Sequence, residues 1–174
     1  MNCVCMFIDH AGKMLFPQLT WMRMVGRLAF PLFAYGIAVG AAMSRHPRQY
    51  IARVAALALV SQPLYAVALG HTNEAMYAVP FAQHPLRALC TFYMESWEKP
   101  SILLALLLGL LLLLCLREKQ YVPALLIYVL CARFSAELDY GVSGIGLMVV
   151  FYLFLEHPAL CFAASTAYML VWSA

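Results

Sequence analysis

The sequence predicts an all-α fold. It reads as a polytopic helical membrane protein, with about six to seven membrane helices in one bundle around a polar internal cavity. Residues 1–174 form a single integral-membrane domain. Three observations carry this. The chain of 174 residues is 65% hydrophobic and 11% charged, with a mean hydropathy of +0.82, whereas soluble domains hold about 25% charged and about 45–50% apolar residues. Long apolar runs recur along it, separated by short polar turns. A few ionisable residues, Asp9, His10, Lys13 and Arg27 among them, sit inside or at the start of those runs. Such groups cost several kcal/mol in hydrocarbon, so they face a bundle interior and do a job there.

The first segment, Asn2 to about Phe16, is apolar but broken by Asp9, His10 and Lys13. It is shorter than the roughly twenty residues a span takes, and reads as a half-spanning helix stopped near Pro17, with Trp21 as an interfacial anchor. No cleavable signal peptide is expected. Met22 to Met43 is a span that opens on Arg23 and Arg27. Pro31 inside it frees a carbonyl one turn earlier, near Arg27, which predicts a kink beside the cavity. Gly36 and Gly40 form a small-xxx-small pair suited to close helix approach.

Ser44 to Tyr50 is a basic loop, and Arg53 opens a span to about Leu69 that carries Gln62-Pro63. Residues 70–100 form the longest polar connection, which predicts a functional or partly helical interfacial segment. Its Glu95 and Glu98 read as solvated charges. Ser101 to Leu116 is the plainest span, Leu-rich and ended by Arg117-Glu118-Lys119. Val122 to Ser135 follows, with Arg133 and Glu137 spaced to pair across one turn. Val142 to Leu155 and Ala159 to Trp172 close the chain around Glu156-His157-Pro158. There is no internal repeat.

Lys and Arg in short loops set orientation. The loops at 44–53 and 117–119 are basic, so both are expected on the cytoplasmic side. Most of the polar cluster then falls in the non-cytoplasmic half. A net charge of +3 gives no ground for a nucleic-acid partner. The six cysteines are scattered, and Cys3-x-Cys5 lacks zinc spacing, so no metal is expected. No Ser-His-Asp order or Gly-rich phosphate loop occurs.

His10 beside Asp9 has the residue types of a general base, since imidazole titrates near neutral pH. Sequential residues on a helix point about 100° apart, however. Asp9 pairing with Lys13 while His10 bonds a carbonyl is the competing reading. Arg27 reads either as a snorkelling interfacial arginine or as an anion contact. Asp139, followed by Tyr140 and Gly141, reads as a loop acid before a helix or as one wall of a site. Residue types alone permit a channel, a transporter or an acyl-transfer enzyme. A transporter is least favoured, for want of an inverted repeat.

Three stretches carry a resemblance. They are Ile8-Asp9-His10-Ala11-Gly12-Lys13, Gly26-Arg27-Leu28-Ala29-Phe30-Pro31-Leu32-Phe33-Ala34, and Asp139-Tyr140-Gly141-Val142-Ser143-Gly144 with Phe151-Tyr152-Leu153-Phe154. In order and approximate spacing they resemble the TraX family of conjugation proteins, over much of 7–70 and 135–155 and more loosely over 71–134. The resemblance implies a multi-pass bacterial inner-membrane protein that acetylates the amino terminus of a pilin subunit, with acetyl-coenzyme A as donor. It also implies a distant tie to membrane acyltransferases that use a histidine near the end of their first helix. Carried over, His10 is the catalytic base, Asp9 its motif neighbour, Arg27 a polar partner, and Asp139 and Tyr140 a second wall. Two alternatives stay open. One is head-to-tail cyclisation of the pilin by aminolysis, and the other a non-enzymatic membrane chaperone or assembly factor for it.

Overall fold

The computed structural model describes residues 29–68, 70, 72–81, 83–134 and 140–173. Among these residues there are seven α-helices and no strand. They are α1 (Ala29–Met43), α2 (Pro47–Ala68), α3 (Pro85–Glu95), α4 (Ile102–Arg117), α5 (Tyr121–Arg133), α6 (Gly141–Leu153) and α7 (Pro158–Ser173), with 3-10 turns at Glu74–Tyr77 and Ser96–Glu98. The apolar runs therefore give helices close to where the hydropathy placed them.

One boundary differs. Arg53 was expected to open the second described helix, but that helix begins at Pro47. Proline fits the first turn, where its missing N–H is not needed. The helix thus takes in Arg48, Gln49 and Tyr50, which a hydropathy reading assigns to the loop.

Fewer of the described helices than the six to seven expected are long enough to span a membrane unaided. Among the described residues only α2, with 22 residues, is long and apolar enough by itself to cross a membrane; α3 and α4 together make a second candidate, bent by 68°. The remaining apolar helices have 13 to 16 residues. At about 1.5 Å per residue they reach about 20–24 Å, less than a hydrocarbon core of about 30 Å. Within α2 only 17% of the apolar window is buried, so this is not the core helix of a soluble domain. Leu57, Val60, Leu64 and Val67 face outward on α2, as do Val122, Leu125, Leu126 and Val129 on α5. Contiguous apolar surface on this scale is what lipid covers.

Helix α4 is the axis. It packs against α1, α2, α5 and α6, and buries Leu106, Leu110 and Leu113 almost completely. Side chains with neither polar atoms nor helix-breaking habits let it be apolar all round, as a central helix must be. Met148 of α6 lies across Gly109, where a Cβ would collide with its sulfur. Among the described residues Gly36 meets no neighbour, and at Gly40 the expected close approach is made by the ring of Tyr50 from α2. The buried small stripe of α1 is Ala34, Ala38 and Ala41, all fully buried.

Helix α2 meets the 70–100 segment through two satisfied polar groups. Pro63 has no N–H to give the Leu59 carbonyl one turn back. The Tyr93 hydroxyl, from α3, donates to that carbonyl at 3.2 Å. Gln62 is fully buried. Its amide nitrogen donates to the carbonyls of Ser96 (2.6 Å) and Lys99 (3.0 Å), and its amide oxygen accepts from Ser101 N–H (2.8 Å). One side chain thus closes the three backbone groups at the bend between α3 and α4. The long polar connection is partly helical, as its length predicted.

Replacing Gln62 with Leu strands those three groups, each costing about 1–3 kcal/mol when left buried and unpaired. The thermal midpoint in mild detergent should fall sharply. Tyr93→Phe removes one bond and should cost about 1 kcal/mol. Equal midpoints for wild type and Gln62→Leu would show that the amide does not hold the bend.

Candidate functional site

Of the residues the sequence singled out for chemistry, Tyr140 falls within the described set. Asp9, His10, Arg27 and Asp139 lie outside it, as do Lys13, Arg23 and Glu137. The expected kink near Arg27 and the Arg133–Glu137 pair therefore rest on residues outside the described set.

What the structure does bring together is the second and third of the three sequence stretches. Phe30 and Tyr140 stack face to face, centroids 3.9 Å apart and planes 5° off parallel. Trp172, near the end of α7, meets both edge-on, at 6.4 Å from Phe30 and 5.8 Å from Tyr140. Aromatic pairs of this kind contribute about 0.5–1.5 kcal/mol beyond their buried area. Phe30 is three residues past Arg27 in sequence, and Tyr140 immediately follows Asp139. The contact between α1 and α6 is thus anchored at the first described residues of α1 and the N-cap of α6.

The local sequence explains why Tyr140 sits there. It holds the N-cap position of α6. Gly141 takes a φ of +50°, a conformation that side chains resist. Gly144, one turn on, has no room for more: a Cβ would lie 2.7 Å from Tyr140 Cβ and 2.8 Å from Phe30 Cζ. The Asp-Tyr-Gly-Val-Ser-Gly stretch is in this sense a device for seating one aromatic ring against another.

A second polar group lies in the 70–100 segment, and sequence reasoning missed it. Asn73 caps the Glu74–Tyr77 turn by accepting from Met76 N–H at 3.0 Å. Its amide donates to both Glu98 (2.6 Å) and Glu95 (3.3 Å). The two carboxylates are held by one amide, not merely solvated. The available signal was an asparagine before an acidic first turn, the usual start of a capped helix. On the same short elements an apolar groove of about 650 Å³ opens, lined by Pro63, Met76, Tyr77, Phe81, Leu89 and Phe92 among others. Among the described residues no group of three or more His, Cys, Asp or Glu is placed to hold a metal ion.

At the opposite end, Arg117 closes α4. Its guanidinium donates to the carbonyls of Ala41 and Ser44, both at 3.0 Å. These are terminal carbonyls of α1 and its following turn, which lack helical partners. The bond puts the two basic connections, after α1 and after α4, at one end of the molecule.

Apolar helices whose outer faces suit lipid, joined by buried polar ties and bearing motif residues at one end, define a helical membrane protein. The sequence model of the TraX protein family matches residues 1–174, and the chain belongs to that family. It is similar to the probable fimbrial assembly protein FimC, serogroup H1, of Dichelobacter nodosus, with 25% identity over 159 residues. That match takes in 88% of this chain and 58% of the relative, so the chain spans little more than half of the relative's length. No solved structure matches.

Gly144→Val should disrupt the Phe30–Tyr140 stack and lower the thermal midpoint, with a stability loss of about 1–3 kcal/mol for an overpacked contact. Tyr140→Phe keeps the ring and should leave stability within about 1 kcal/mol of wild type. Detergent melting curves of the two variants check both.

Proposed function

We propose that this protein is a membrane acyltransferase that acetylates the amino terminus of a pilin subunit, with acetyl-coenzyme A consumed as the acyl donor. The observation that carries the reading is the union of the Gly26–Ala34 and Asp139–Gly144 stretches through Phe30 and Tyr140, in a chain of the TraX family. The relative named as a fimbrial assembly protein supports a role with pilin.

In this reading the pilin amine attacks the thioester carbonyl carbon. A C–N bond forms, the C–S bond breaks, and the amine proton passes to the His10 imidazole and on to the departing thiolate. His10 suits the first task because its ordinary pKa lies near the working pH. The charge developing on the carbonyl oxygen needs donors fixed in advance. Arg27, the Tyr140 hydroxyl and backbone amides are the groups proposed for it, with Asp9 and Asp139 holding their neighbours in register. The protein works in the inner membrane, on a pilin that presents its processed amino terminus on the far side.

Similarity to a fimbrial assembly protein favours a second reading, a non-enzymatic factor for pilin assembly. Mass spectrometry of pilin made with and without this protein separates the readings. A gain of one acetyl group is expected. Loss of one water would instead indicate head-to-tail cyclisation, and an unchanged mass the assembly role. His10→Ala should abolish the modification while the protein still accumulates in the membrane. Arg27→Lys should reduce it, because an ammonium lacks the planar fork of guanidinium. Full modification by His10→Ala would remove the histidine from the mechanism.

A further inference from the structure

We propose that the basic end of the protein carries a phosphate-binding cleft, formed where α1 ends and α2 begins. This cleft does not depend on the acyl-transfer reading. It has a volume of about 490 Å³ and is lined by Gly40, Arg45, His46, Gln49, Tyr50 and Arg53, with other residues of the α1 end. Among the described residues no carboxylate contributes to the lining. Neither Arg45 nor Arg53 forms an ion pair among the described residues.

A basic loop kept on one side of a membrane needs only the right number of charges. Here the charges are also arranged. His46, Gln49, Tyr50 and Arg53 follow the i, i+3, i+4, i+7 spacing of one helical face, and Arg45 joins them from the turn. Arg48, equally basic, is not part of the lining. The wall is fixed on the α1 side by Gly40, where a Cβ would come within 2.6 Å of the Tyr50 ring. The floor is held by Arg117, whose bonds to the Ala41 and Ser44 carbonyls pin the turn that carries Arg45. Those bonds also occupy carbonyls at the negative end of α1, which would otherwise oppose an anion.

Two arginines lining one cleft with hydroxyl, amide and imidazole side chains match an anion with several oxygens, and the planar fork of arginine suits phosphate. Two sources offer that chemistry at the end of an apolar helix. One is the headgroup of an anionic phospholipid. The other is a soluble nucleotide phosphate.

The test uses the full chain purified in a neutral detergent, with thermal shift and native mass spectrometry as readouts. The probes are phosphatidylglycerol, phosphatidylcholine as its zwitterionic control, and adenosine 3′,5′-bisphosphate. Wild type should be stabilised by phosphatidylglycerol over phosphatidylcholine if the source is lipid, or by the bisphosphate if it is soluble. The double variant Arg45→Gln, Arg53→Gln should bind the active probe about tenfold or more weakly, with its helix content unchanged by circular dichroism. Arg87→Gln, a charge removed from α3 at the other end, should bind as wild type. No response to either anionic probe would overturn the proposal, as would an unchanged response in the double variant or an equal loss in Arg87→Gln.

Discussion

A chain whose outer surface suits hydrocarbon has few partners for a stray polar group except the protein itself. The described helices are organised by that shortage. Gln62 is buried in the longest of them and would be a liability alone. It is retained because its amide completes the three backbone groups left open where α3 turns into α4. Pro63, the next residue, opens a carbonyl that the Tyr93 hydroxyl closes. At the other end Arg117 does the same for the last carbonyls of α1. Each tie joins elements distant in sequence, so the positions of the short helices follow from where polar groups had to be satisfied.

The same economy shapes the two ends. At one, Phe30, Tyr140 and Trp172 gather three helices into an aromatic cluster, and Gly144 is small because the rings leave it no space. Asp139 and Arg27 adjoin that cluster in sequence. A rigid aromatic stack is a suitable mount for the groups proposed to act on the substrate, since a site works only as well as its supporting residues hold it. At the other end a glycine again makes the close contact, between Gly40 and Tyr50, and Arg45 and Arg53 line the same cleft.

Much of this was legible in advance. Apolar periodicity and turn residues placed α4 to α7 within a residue or two, because long apolar runs admit little besides helix. The basic ends of α1 and α4 were expected on one side, and Arg117 joins them. The start of α2 was misjudged, since Arg48 and Gln49 look like loop by hydropathy while Pro47 favours a helix start. Six to seven spans were expected, while one or two among the described residues are long and apolar enough to cross alone, because hydropathy measures how apolar a run is and not where its helix stops. Gly36 and Gly40 were read as a seam from spacing alone, but spacing does not say which face meets a neighbour. Of the candidate site, the Asp-Tyr-Gly stretch was recognised, but not the ring it stacks on.

By itself the sequence determined the helical class, the apolar surface, the family and the residues able to do acid-base or anion chemistry, since these follow from composition, local pattern and motif order. Only the tertiary structure decided that Gln62 ties α2 to the α3–α4 bend, that Phe30 meets Tyr140, and that Arg45 and Arg53 share a cleft. Those are meetings between residues far apart in the chain. Local propensity carries no information about them, because they are fixed by how whole helices pack once their polar groups have found partners.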